Sequence, residues 1–266
     1  MEQNKSIREF LFQARKRAKA RLALAGRRFL RLLHPVSLSA SEAFSIPIII
    51  NNRNRYTYLK SLVEWLKQAG YQNIIVLDND STYPPLLEYY TNCPARVIRL
   101  GKNLGYKALW DSRIFGEFRK SYYVYSDPDL LPVENCPKDL VYQLLLVLEK
   151  YRSIEKCGPA LKIDDLPDHY AHKEEVIHGV EGRYWKKEVE KNIFDAPLDT
   201  TFALYKPYAY GSAESCKAFR LGGAYCFRHL PWYENSNQAK EEDVYYASHA
   251  STSSSWYNKE KKNATP

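Results

Sequence analysis

Apolar positions recur from Ile7 through Leu11, Ala14, Ala18, Leu22, Ala25, Phe29 and Leu33 in steps of three or four residues, which places them on one face of a long helix. His34-Pro35 ends that pattern, and residues 37–45 read as a linker. Beyond it the period changes. Short runs rich in β-branched and aromatic residues at 46–50, 73–77, 96–100 and 121–126 read as strands. The stretches at 56–69 and 106–118 read as amphipathic helices, the first closed by Gly70. Strands alternating with helices predict βαβ units on a parallel sheet, an α/β fold. Farther on, 137–151 predicts a helix and 157–163 a strand ending at Asp164-Asp165. The pattern divides the chain into a helical arm (1–36), the linker (37–45), one α/β domain (46–250) with halves at 46–131 and 132–250, and a loosely ordered tail (251–266).

Each strand of the first half ends in a polar or glycine cluster: Asn51-Asn52-Arg53-Asn54-Arg55, then Asp78-Asn79-Asp80-Ser81-Thr82, Gly101-Lys102-Asn103-Leu104-Gly105, and Asp127-Pro128-Asp129. In open α/β sheets ligands bind outside the carboxyl ends of the strands. The four clusters are therefore predicted to line one crevice.

Composition narrows the class. Of the 266 residues 45% are hydrophobic and 14% aromatic, which supports a full core and excludes intrinsic disorder as the main state. No run approaches the roughly 18 apolar residues that a membrane-spanning helix requires. The formal net charge of +8 is localised: residues 1–34 hold ten Lys/Arg against Glu2 and Glu9, so the arm carries the whole excess. A basic amphipathic helix over 5–33 suits the headgroup layer of an anionic membrane; alternatively its stripe packs on the body or on a second subunit. Nucleic acid is not implied, because no aromatic stacking platform is interleaved with the bases. The five cysteines form no Cys-x-x-Cys or zinc-spaced cluster, and the recurring bases leave no secretory apolar core. The expectation is a cytoplasmic protein with free thiols, peripheral on the cytoplasmic face of the membrane.

Asp127-Pro128-Asp129 carries the sharpest chemistry. Residues i and i+2 of an extended backbone project to the same side, so the two carboxylates converge just past the apolar run Tyr122-Tyr123-Val124-Tyr125. Like charges held that close call for a hard, oxygen-preferring divalent cation, and Pro128 stiffens the turn. The same residues also suit a plain surface turn. Asp78, at a strand tip, suits acceptance of a hydrogen bond from the imino N–H of a pyrimidine; an Asx-turn or a helix N-cap ahead of Pro84 is the other reading.

Four segments, Ile48-Ile49-Ile50-Asn51-Asn52-Arg53-Asn54-Arg55, Val76-Leu77-Asp78-Asn79-Asp80-Ser81-Thr82, Asn103-Leu104-Gly105-Tyr106 and Tyr125-Ser126-Asp127-Pro128-Asp129, resemble in order and spacing the nucleotide-binding half of glycosyltransferase family 2 and its A-type fold relatives. The resemblance implies the GT-A fold, Rossmann-like with a mostly parallel central sheet and flanking helices. It implies transfer of a sugar from a nucleotide-sugar donor, UDP-linked by first choice, to a hydroxyl of a glycan or lipid-linked acceptor, with Mn²⁺ or Mg²⁺. Asn52 and Arg53 would border the nucleotide, with Asn103 and Gly105 in the neighbouring loop. Asp78 would hold the base, Lys107 or Asp111 would reach toward ribose or diphosphate, and Asp127 and Asp129 would handle the ribose and the cation.

In the second half, Asp199-Thr200-Thr201-Phe202-Ala203-Leu204-Tyr205 resembles the family's strand after the metal motif. Arg228-His229-Leu230-Pro231-Trp232-Tyr233 resembles the late segment whose histidine, here His229, supplies a third metal ligand; a core histidine beside Trp232 is the alternative. An inverting transfer needs a base within reach of the acceptor hydroxyl. Asp199 is the first candidate. Asp243 or Glu242 in Glu241-Glu242-Asp243 matches the family's Glu-Asp pair, but follows His229 where that pair precedes it; Glu181 and Glu214 come next. A retaining transfer needs no such base. Trp185, Tyr205, Tyr208, Tyr210, Trp232 and Tyr233 either stack on sugar rings or fill the core. Residues 74–82 also fit a haloacid-dehalogenase-like phosphohydrolase with Asp78 as nucleophile, Asp80 as acid/base and Asp164-Asp165 holding Mg²⁺. The βα unit ahead of that motif and Pro84-Pro85 behind it count against this rival. A non-catalytic sugar-binding scaffold is the third reading.

Overall fold

A computed structural model describes the backbone of residues 2–211, 216–235 and 238–249, and their side chains except those of 2–11, 13, 16 and 17. Glu214 and the tail from Ser251 lie outside the described residues. The arm is one helix, α1 (Glu2–Leu33). The alternating pattern then yields β1 (Ile48–Asn52), α2 (Thr57–Ala69), β2 (Ile74–Asp78), α3 (Pro84–Thr91) and β3 (Arg96–Arg99). Gly70 ends α2 at φ 100°, the left-handed C-terminal position that glycine takes without strain. The Pro84-Pro85 pair opens α3, where the first N–H groups have no helical partner to lose.

The helix predicted at 106–118 is broken into α4 (Ala108–Asp111) and α5 (Phe115–Phe118). Ser112 turns to an extended conformation between them, and its hydroxyl donates back to the Leu109 carbonyl at 2.9 Å, the local competition for backbone groups that serine offers. β4 (Tyr123–Ser126), β5 (Leu130–Pro132), α6 (Leu140–Lys150) and β6 (Lys156–Pro159) follow, the last shorter than the run 157–163 suggests. The second half adds β7 (Glu188–Glu190), β8 (Ile193–Phe194), β9 (Ala203–Tyr205), β10 (Ala218–Leu221), β11 (Phe227–His229) and α7 (Glu241–His249).

Nine strands form one sheet in the order β3-β2-β1-β4-β9-β6-β10-β8-β7, and β5 pairs with β11 in a second, two-stranded sheet. The strands β3, β2, β1 and β4 are parallel, while β9 and β8 run against their neighbours. This is the α/β architecture expected: Rossmann-like, mostly parallel, with helices on both faces. The two-residue period of the strands sorts the core into two layers. Ile48, Ile50, Val76 and Val124 pack with Leu59, Leu62, Leu140 and Leu144 of α2 and α6 on one face. Ile49, Ile75, Leu77, Tyr123 and Tyr125 pack with Leu109 and Phe118 on the other. Among the described residues no helix is long and apolar enough to cross a membrane.

Candidate active site

The parallel register sets Asn52 of β1 beside Asp78 of β2 at the carboxyl edge of the sheet. Tyr90 joins them: Asn52 Nδ2 donates to its hydroxyl at 3.0 Å, and that hydroxyl lies 3.1 Å from Asp78 Oδ1. Burial, with the Asp78 charge adding to it, pushes the Tyr90 phenol up. The Asp78 carboxylate also accepts from Arg99 Nε and Ser81 N–H, each at 3.3 Å, and the residue is 1% exposed. It is buried at the sheet edge rather than exposed there.

The loop 103–106 knits the other strand ends together. Asn51 Nδ2 and Asn79 Nδ2 both donate to the Gly105 carbonyl, at 3.3 and 2.9 Å, and Asn79 Oδ1 accepts the Leu104 N–H at 2.6 Å. Tyr125, on β4, donates its hydroxyl to the Tyr106 carbonyl at 3.0 Å. Gly105 bends at φ 69°, and two non-glycine residues, Asn54 (φ 53°) and Asp80 (φ 68°), are also left-handed. Such backbone is sparse outside glycine and persists where the surroundings hold it; Asn54 is held by Thr82 and Tyr83 N–H groups on its Oδ1, at 2.7 and 3.0 Å. Among the described residues, four buried polar atoms in this region have no hydrogen-bond partner: Asn51 Oδ1, Asn52 Oδ1, Arg53 Nε and Asn54 Nδ2. Buried polar atoms are normally satisfied, so this edge retains unused hydrogen-bonding capacity. Asn103, Lys107 and Asp111 are exposed around it, with the Lys107 ammonium 5.2 Å from the centre of the Tyr106 ring.

The predicted acidic pair follows β4. Asp127 Oδ2 accepts from Thr200 Oγ1 at 2.8 Å, and Asp127 N–H donates to the Thr200 carbonyl at 3.1 Å. Burial and then the neighbouring Asp129 charge push the Asp127 carboxyl well up. Burial opposes the Asp129 charge too, but there the His229 imidazole and the Arg55 guanidinium outweigh it and hold the carboxyl below its usual value. His229 Nε2 lies 3.5 Å from Asp129 Oδ2, and its buried Nδ1 has no hydrogen-bond partner among the described residues. Trp232 packs its ring 4.7 Å from the imidazole, and its buried Nε1 has no hydrogen-bond partner among the described residues. Asp129 and His229 thus fit a hard divalent cation as a pair of donors. The expected set of three is not gathered: Asp127 is turned onto Thr200, and among the described residues no group of three or more His, Cys, Asp or Glu side chains is arranged to hold a metal ion.

Asp199 is exposed, and its charge reaches Asp127. Beneath it lies Lys156, fully buried, whose ammonium donates to the Asp199 carbonyl and Tyr205 hydroxyl at 3.0 Å each and to the Gly211 carbonyl at 3.3 Å. Burial lowers this lysine to about 8. Nothing in the local sequence around Lys156 signals this role, because its partners come from β9 and the loops on either side of it.

Glu242 and Asp243 occupy a different place from Asp199. Glu242 accepts the Tyr56 and Thr57 N–H groups at 2.7 and 3.0 Å and the Thr57 hydroxyl, capping α2 from the far end of the chain. Asp243 pairs with Arg55 at 2.6 Å, and Arg53 donates to the His249 carbonyl. Helix α7 therefore straps the loop after β1. Glu181 is a buried partner of Arg220, its carboxyl raised by burial against that arginine's pull. Tyr205 is no sugar platform: it is fully buried and stacks on Tyr123 at 5.0 Å. Tyr233 donates to Asp165, which also pairs with Arg228, while Asp164 pairs with Lys162 at the surface. Three of the four carboxylates that the phosphohydrolase reading needs, Asp78, Asp164 and Asp165, are thus tied to separate partners.

No protein-family model matches the chain, and no curated protein matches it. Two solved structures of glucosyl-3-phosphoglycerate synthase from Mycobacterium tuberculosis are similar to it at 17% identity and a TM-score of 0.39, over 65% of this chain. One is a complex with phosphoglyceric acid, the other with Mn²⁺, uridine diphosphate and phosphoglyceric acid. The chain spans 62% and 61% of their lengths, less than two thirds.

Proposed function

We propose that the chain is a metal-dependent glycosyltransferase that moves a sugar from a UDP-linked donor, with inversion, to a hydroxyl of a glycan or its lipid-linked precursor. The observation that carries this reading is the pairing of Asp129 with His229 at 3.5 Å beside Asp127, close to the edge where Asn51 and Asn52 keep unpartnered acceptor oxygens. A carboxylate and an imidazole beside a polar sheet edge suit a diphosphate-bearing nucleotide with its cation. Asn51 and the fully buried Asn52 form the floor of that edge, and Asp78 fixes Asn52 through Tyr90.

Asp129 and His229 would hold Mn²⁺ or Mg²⁺, which when bound supplies a Lewis acid for the departing diphosphate. Asp199 is the base of choice: it is exposed, next to Asp127, and its backbone is pinned by Lys156. It takes the proton of the acceptor hydroxyl as the new bond to the anomeric carbon forms and the bond to the diphosphate breaks. The acceptor is read as one presented at the cytoplasmic face of a membrane, a locus supported by the basic arm.

The test is a thermal-shift series with UDP-sugars, with and without Mn²⁺. A ligand that binds only the native state raises the melting temperature. The expected result is a rise that needs both components and vanishes in Asp129→Asn; a flat series across the UDP-sugars overturns the reading.

A further inference from the structure

The arm is clamped to the domain by its arginines. Glu155, its side chain 3% exposed, receives Arg31 Nη1 and Nη2 at 2.8 Å each and Arg27 Nε at 3.0 Å. Arg31 Nε also donates to the Pro207 carbonyl at 2.6 Å, and the Arg27 guanidinium lies 5.2 Å from the centre of the Tyr210 ring. Burial opposes the Glu155 charge, yet the two guanidiniums outweigh it and hold the carboxyl below its usual value. A bidentate, nearly water-free pairing of this kind fixes direction as well as distance.

That clamp decides which face of α1 looks outward. At 3.6 residues per turn, Arg27 and Arg31 lie opposite Ala18, Leu22, Ala25, Phe29 and Leu33. The apolar stripe therefore points away from the body: Leu22, Phe29 and Leu33 are 74%, 60% and 56% exposed. Arg21 and Arg28 flank it on one side and Lys19 on the other, all exposed. Over Leu22, Phe29 and Leu33 the stripe does not pack on the body of the domain.

We propose that this outward face of α1 is a docking surface for an anionic bilayer. Leu22, Phe29 and Leu33 enter the boundary of headgroups and acyl chains, and the flanking bases meet lipid phosphates, an arrangement that suits long basic side chains with apolar stems. The charge pattern selects this occupant over a second copy. The arm carries the whole formal +8 of the chain, so two arms packed stripe to stripe would bring like charges together. Because Arg27 and Arg31 hold the helix to Glu155 directly, docking also fixes how the domain sits on the surface. The inference is independent of sugar transfer, since it needs no donor.

The experiment is co-sedimentation of the full chain with vesicles of phosphatidylcholine alone or containing phosphatidylglycerol, without nucleotide, beside sedimentation velocity without lipid. Binding to the anionic vesicles should be tighter by at least about ten-fold, and weaken with added salt, as several bases acting together require. The triple variant Leu22→Gln/Phe29→Gln/Leu33→Gln should lose that binding while its circular dichroism and melting temperature stay at wild-type values. Equal binding to both vesicle types, or none, overturns the proposal. So does a concentration-dependent dimer that the triple variant abolishes while vesicle binding persists.

Discussion

His229 Nε2 stands 3.5 Å from Asp129 Oδ2 because β11 pairs antiparallel with β5, in a register that sets His229 opposite Leu130. The Leu230 N–H closes the same corner on the Asp129 carbonyl at 2.8 Å. This small sheet brings together a carboxylate and an imidazole from opposite halves of the domain. If His229 is a ligand, His229→Ala should weaken Mn²⁺ binding by at least the roughly 10- to 100-fold that loss of even an outer-shell partner costs, and lower transfer with it. Titration of Mn²⁺ by electron paramagnetic resonance checks the first, and the rate at saturating Mn²⁺ the second. An unchanged Mn²⁺ affinity would assign His229 to packing against Trp232 alone.

Asp127 and Asp129 are two like charges in a poorly solvated corner, and Asp127 shows the strain in its raised carboxyl, caused by burial and then by Asp129. Removing one charge relieves the other. Without metal, Asp127→Asn should melt above the wild type by a few degrees, since about 1 kcal/mol moves a chain of this size by roughly 2–4 °C. With Mn²⁺ and a UDP-sugar the order should reverse, because the wild type, with a second carboxylate beside the Asp129–His229 pair, gains more from binding. Parallel melting curves that never cross would show that Asp127 takes no part in the site.

The periodicity of the chain made the fold's first half legible. Apolar runs at β1, β2, β3 and β4 each stop at a polar cluster, and local physics suffices to read both the strand and its end. What stayed hidden depends on partners far along the chain. Glu242 looks like the acidic start of an ordinary helix, yet it caps a helix 185 residues earlier. Tyr205 looks like a candidate sugar platform, but the pairing of β4 with β9 buries it on Tyr123. The arm's stripe was plain from its spacing, whereas its direction follows from Glu155, a single carboxylate distant in sequence. The continuous helix expected at 106–118 failed on a local detail, the Ser112 hydroxyl.

Glu242 is tested by separating stability from rate. Its carboxylate satisfies two N–H groups at the start of α2, a cap whose loss costs about 1–2 kcal/mol. Glu242→Ala should lower the urea midpoint accordingly and reduce kcat far less than Asp199→Asn does. If instead the midpoint is unmoved and kcat collapses, the general base belongs to α7.

Lys156 gives a pH signature with a definite sign. Its folded value is lowered to about 8 by burial, with Cys216 and Asp199 pulling the other way, while an unfolded lysine titrates near about 10.4. Between those values the unfolded chain binds a proton that the native chain does not, so this residue adds stability as pH rises from 8 toward 10. Lys206, also lowered to about 8, acts in the same direction, and buried thiols such as Cys216, raised to about 11, act against it. The readout is therefore the difference between wild type and Lys156→Met, in which Lys206 cancels, with Cys216→Ala introduced into both chains because that thiol interacts electrostatically with Lys156. That difference should move in favour of the wild type between pH 8 and 10 by an amount on the order of 3 kcal/mol, measured by urea unfolding at each pH. A difference independent of pH would mean that Lys156 stays charged in the core, held by the Asp199 and Gly211 carbonyls and the Tyr205 hydroxyl.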